Sequence, residues 1–121
     1  MANHFKNAKA QNINDVAATG TTIYTVPASK TSILLELDVA NTTLNVVEAS
    51  VEILDRSVSA TAWRYLVKNA PVPAGGSLMV VAGQKIVLEE RSGGTGDAVR
   101  FTSSAATSLD GVSAVLEDVN P

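Results

Sequence analysis

Glu36 and Asp38 stand two residues apart in TSILLELDVAN, and Glu48 and Glu52 stand four apart in NVVEASVEILDR. Two carboxylates held close raise the pKa of one of them, the simplest route to general acid–base chemistry. Here they alternate with apolar residues, so a solvated outer strand face accounts for them equally well. GGTGD, at 93–97, suggests a phosphate cradle. A nucleotide loop needs glycines that open a helix and a lysine for the β- and γ-phosphates. These glycines lead into the apolar run AVRF with no lysine after them, and Lys30-Thr31 follows TVPAS, which lacks the glycines. His4 is the one histidine and there are no cysteines. His4 lies in the N-terminal segment, far from any paired acid or serine, which argues against a Ser-His-Asp triad, and the counts exclude a zinc site of ordinary composition, disulfides and thiol chemistry. Glu89, Glu90 and Asp97 flank the RSGG loop and offer oxygens to a weakly held cation, but no D-x-D-x-D-G calcium loop exists. Trp63 and Tyr65 share a parity, which fits a sugar platform or a packed core. Asn41-Thr42-Thr43 matches a glycosylation acceptor. The residues supply no nucleophile–base pair, so the reading is a non-enzymatic protein with no metal and no cofactor.

The elements that carry these residues have a period of two. From Gly20 onward, TTIYTV, KTSILLELDVAN, NVVEASVEILDR, TAWRYLVK, SLMVV, KIVLE, AVRFTS and GVSAVLE read as strands. Alternation puts Ile33, Leu35, Leu37, Val39, Val51, Ile53, Tyr65, Val99 and Phe101 on core-facing sides. Connections this short cannot hold crossover helices. The expected fold is all-β: a single antiparallel β-sandwich, jelly-roll or Ig-like, of about eight short strands. Pro71 and Pro73 bracket an extended link, while Gly75-Gly76 and Gly83 mark two hairpin turns. Residues 1–19 are polar and amide-rich, and read as an extended N-terminal arm preceding a sandwich domain at 20–121. In that arm Phe5, Lys6, Asn7, Lys9, Asn12 and Asn14 are the candidate partner-binding residues. Amides pair with a neighbour's backbone, lysines meet carboxylates, and Phe5 fills a pocket. The expectation is an arm needed for docking and not for folding.

Composition bounds the partners. The chain has 121 residues, 45% hydrophobic and only 17% charged, with a net charge of −3. An acidic protein does not attract phosphate backbones, so nucleic acid is excluded as a partner class. No run reaches the roughly 18 apolar residues of a membrane span. MANHFKNAKA lacks an apolar signal core, which points to folding in a cytoplasm. Low charge suits a chain that buries surface against neighbours.

Several segments resemble one family. TTIYTVPASKTSILLELDVANTT is similar to the opening of small β-sandwich structural proteins of tailed bacteriophages, where a YTVPAGKT segment leads into an apolar strand ending VANTT. LVKNAPVPAGGSLMVV, GQKIVLE, GDAVRFTSS and SLDGVSAVLE resemble the rest of that pattern. The likeness runs from Phe5 to about Glu117. The family has a short AGD turn where this chain has ERSGGTGD. The resemblance implies a virion component assembled in the host cytoplasm: a capsid decoration protein, or a neck, collar or tail part. It also implies virion proteins as partners and a homo-oligomer, with a trimer favoured. It brings no catalytic residues. A glycan-binding module remains the reading from another class, and it requires Trp63 and Tyr65 to be exposed together.

Overall fold

The computed structural model describes residues 4–16, 19–90 and 94–117. Eight strands appear among them: β1 (His4–Ala10), β2 (Thr21–Thr25), β3 (Thr31–Asn41), β4 (Val47–Leu54), β5 (Trp63–Val72), β6 (Ser77–Glu89), β7 (Ala98–Ser103) and β8 (Leu109–Glu117). They form two four-stranded antiparallel sheets, ordered β1-β8-β3-β6 and β2-β7-β4-β5. Only β4 and β5 are both consecutive and paired. Every other connection crosses from one sheet to the other. That order makes the sandwich a jelly roll and not an Ig-like fold.

The segment expected to be a free arm is extended, but it lies on its own chain. His4 to Ala10 pair with Glu117 to Gly111 as the edge of the first sheet. Ile13 is fully buried in the core and its N–H donates to the Leu109 carbonyl at 2.9 Å. Sparse apolar residues hid this, because an edge strand needs few of them. The segment therefore serves folding: β1 supplies the edge of the first sheet and Ile13 fills part of the core.

Strict alternation fails at one point in β3. Leu34, Leu37 and Val39 are buried, while Ile33 and Leu35 are only partly covered. The ladders to both neighbours slip between Leu34 and Glu36. Leu35 is the extra residue of a bulge, and one extra residue exchanges the two faces of a strand. Opposite it, β6 leaves Gly83, Gln84 and Lys85 outside the ladder. Gly83 thus lies within one long strand that joins SLMVV to KIVLE, not at a hairpin. Gly75 does take a left-handed turn, at φ 67°, but it joins β5 and β6 of different sheets and so closes no hairpin either.

A similar slip corrects Tyr65. Val51 pairs with Val67 and Glu52 with Tyr65, so β5 passes over Leu66. Val67 packs against the core, whereas Tyr65 is half exposed on the outer side. Val39, Val51, Val99 and Phe101 are core residues as expected, with Ile53 partly buried beside them. Asn41 is buried too. Its amide donates to the Asn45 and Val72 carbonyls at 2.7 and 3.0 Å and accepts from the Thr43 N–H. The Asn-Thr-Thr match is a turn lock whose amide points inward.

Gly111 on β8 has no room for a side chain, because a Cβ there would overlap the Phe101 ring of the facing sheet. Gly111→Ala is expected to lose about 1–3 kcal/mol by overpacking. Its urea midpoint should fall, and adding Phe101→Leu should recover part of the loss.

Candidate functional site

The outward face of the first sheet gathers three of the six candidate partner-binding residues, Phe5, Asn7 and Lys9, together with Glu36 and Asp38. Side chains alternate along strands, so the register defines rows across the sheet. One row runs Phe5, Leu116, Ile33, Val87. A second holds Asn7, Ala114 and Glu36. A third runs Lys9, Val112, Asp38, Met79. The face is apolar for its position: Phe5 is 79% exposed, Met79 64% and Val87 56%. A shallow groove of about 160 Å³ runs between Asn7, Glu36, Asp38, Val112 and Ala114.

Asp38 is the unusual group on this face. Its Oδ1 is shielded from solvent and has no hydrogen-bond partner. Burial first, then the bond to and repulsion from Glu36, push its carboxyl up to about 6. A raised folded-state pKa means that the folded chain holds more protons than the unfolded chain between about pH 4 and 6. Stability from this group is therefore present below about pH 4 and falls as pH rises to about 6. Asp38→Asn should flatten that slope. The variant should match the parent in denaturant midpoint at pH 4 and exceed it at pH 7.

The six candidate residues separate by role. Phe5, Asn7 and Lys9 are exposed on the outer face of β1. Lys6 lies on the other side of β1, paired with Glu117 at 3.2 Å. Glu117 also accepts from the Tyr24 hydroxyl at 2.6 Å, and Ser32 lies 2.8 Å from that hydroxyl. Burial and the Glu117 bond push the Tyr24 phenol up. This chain of bonds ties the two sheets together at one end, and Lys6 belongs to it. Asn12 takes a left-handed turn (φ 55°) and its N–H donates to Asp110 Oδ1 at 3.0 Å. The Asn14 side chain donates to the Gly20 carbonyl and accepts from the Val16 N–H. Asn12 and Asn14 are occupied in holding the link from β1 to β2. The side chain of His4 lies outside the described residues, as do residues 91–93 of the RSGG loop and Asn3.

The outward face of the second sheet carries a pair that alternation alone did not reveal. Arg100 and Glu52 are directly opposite on β7 and β4 and form a two-pronged contact, at 2.9 and 3.3 Å. Both side chains are about nine-tenths covered. The Trp63 ring lies 3.9 Å from the guanidinium carbon and closes the pair from outside. The signal available in sequence was an arginine inside the apolar strand AVRFTS. Beside this cluster, Asp15, Ser50, Tyr65, Lys68, Asn69 and Thr102 are among the residues lining a polar cleft of about 410 Å³. Trp63 and Tyr65 do share the outer face, but Trp63 is engaged with Arg100 and Lys68 stands 5.3 Å over the Tyr65 ring. Among the described residues, no group of three acidic or histidine side chains is placed to hold a metal ion.

No family model matches the chain, and no curated protein sequence matches it. Among solved structures, the chain is similar to that of the infectious bursal disease virus Gx strain, at TM-score 0.48 and 15% identity. The match covers 96% of this chain and 31% of that one. The Gt strain of the same virus matches at TM-score 0.37 and 11% identity, over 95% of this chain and 38% of that one. A mutant VP2 protein of that virus, in derived T=1 particles, gives 0.37 and 11%, over 95% and 39%. The chain spans about a third of the length of the solved structures it matches.

Proposed function

We propose that this protein is a structural component of a virion, a capsid decoration protein that binds other virion proteins. The observation that supports this reading is the jelly-roll strand order, an architecture used by capsid domains, lectins and cupins. Fold alone does not assign function. The uncovered apolar side chains on the first sheet add a physical reason to expect a partner. The resemblance of its segments to small phage structural proteins points the same way. A neck, collar or tail position is the second form of this reading. The glycan-binding alternative keeps one supporting observation, the cleft beside Tyr65, with the stacking face of that ring already met by Lys68.

Cryo-EM of the virion that carries this protein tests the proposal. Density for the jelly roll on the capsid shell supports decoration. Density confined to the neck or tail replaces it with the second form, and absence from the particle overturns both.

A further inference from the structure

We infer that two copies of this chain associate through the outward face of the β1-β8-β3-β6 sheet, about a two-fold axis running along β8. The inference goes beyond the virion reading and does not depend on it. The argument is one of register. β8 lies between β1 and β3, and its outward residues pair across the sheet with both. A two-fold axis along β8 therefore places β1 of one protomer over β3 of its partner, row by row. Lys9 then faces the partner's Asp38, because both stand in the row of Val112. Phe5 faces the partner's Ile33, because both stand in the row of Leu116. Asn7 faces the partner's Glu36. Val112 and Leu116 meet their own copies on the axis. Apolar meets apolar and cation meets anion, twice over, which is the self-complementarity a two-fold interface requires.

Three observations at this face are otherwise unaccounted for. Phe5 stands 79% exposed on a strand edge. Lys9 is exposed, and the hydrogen bonds and ion pairs of the described residues give it no partner. Asp38 keeps a shielded oxygen without a hydrogen bond. That oxygen is closed to an outside donor, but Asp38 as a residue is only half-buried, so its carboxyl still presents an opposite charge to the partner's Lys9 ammonium. A dimer, not the trimer favoured from sequence, is the expected state.

Sedimentation equilibrium of the full chain and three variants tests this. The parent should give a reversible monomer–dimer mass. Lys9→Asp places a carboxylate against the partner's Asp38 and should weaken the dimer at least about tenfold, as like charges across an interface do. Asp38→Lys should do the same, and the Lys9→Asp/Asp38→Lys pair should restore association. Lys9 is exposed on an edge strand, so its substitution keeps the test valid should Asp38→Lys fail to fold. A parent that stays monomeric at about 100 μM, where even weak specific contacts register, overturns the inference. So does a trimer mass, an unchanged constant in Lys9→Asp, or a folded double variant that stays dissociated.

Discussion

Glu52→Ala is expected to cost about 3–5 kcal/mol, the range seen when one member of a buried ion pair is removed. The guanidinium of Arg100 would stay under the Trp63 ring without its carboxylate. It could not swing into water without opening that stack. The converse is also expected. Replacing both, as Glu52→Met with Arg100→Leu, removes the two desolvation costs together and should be neutral or stabilising. Urea denaturation of the single and double variants decides between them. A single variant within about 0.5 kcal/mol of the parent, the ordinary surface range, would mean that water or other partners such as the Thr19 carbonyl, 3.4 Å from Arg100 Nη1, satisfy the guanidinium. The pair would then contribute little to stability.

Leu37→Ala is the second large effect, at about 2–5 kcal/mol from lost transfer energy and the cavity left behind. Leu37 is fully buried in the main core. The informative comparison is with its neighbours. Leu34→Ala should cost a similar amount, and Leu35→Ala clearly less, because Leu35 is the partly covered bulge residue. A regular strand with Leu35 facing inward predicts the reverse order for 34 and 35. Denaturation midpoints of the three variants at one pH therefore measure the bulge directly.

These residues also show how far the sequence could be read. The period of two gave the class, the antiparallel sheets and most of the core, because Val39, Val51, Val99 and Phe101 sit on unbroken stretches of alternation. Bulges defeated the rest. An extra residue changes the parity of everything beyond it, and neither Leu35 nor Leu66 carries a local signal such as glycine. The strand count of about eight was reached by two errors that cancel. The segment around Phe5 was not counted as a strand, and β6 was divided at Gly83. At the candidate surface, the exposed set Phe5, Asn7 and Lys9 was legible because exposure needs only a polar context. Asn12, Asn14 and Lys6 turned out to serve the fold. Their partners Asp110, Gly20 and Glu117 are distant in sequence or bonded through backbone, and composition cannot show such pairings. The burial of Glu52 was hidden for the same reason.

The place of β8 has a consequence for how the chain becomes folded. β8 follows every other described strand in sequence, yet it sits inside its sheet, between β1 and β3. His4 finds Glu117 only after the whole intervening chain exists. Until then β1 has no ladder to join, and β3 is paired on one side only. Pairings so remote in sequence make folding slow, because the loop must close before its contacts are gained. During synthesis the emerging chain therefore carries unpaired strand edges for as long as β8 is missing, the condition under which β-proteins aggregate. Lys6 and Lys9 keep charge on β1 throughout that interval, which protects a strand edge that must wait. A ribosome-bound chain halted before Leu109 should accordingly show β1 amides open to hydrogen exchange, and they should close once β8 is released.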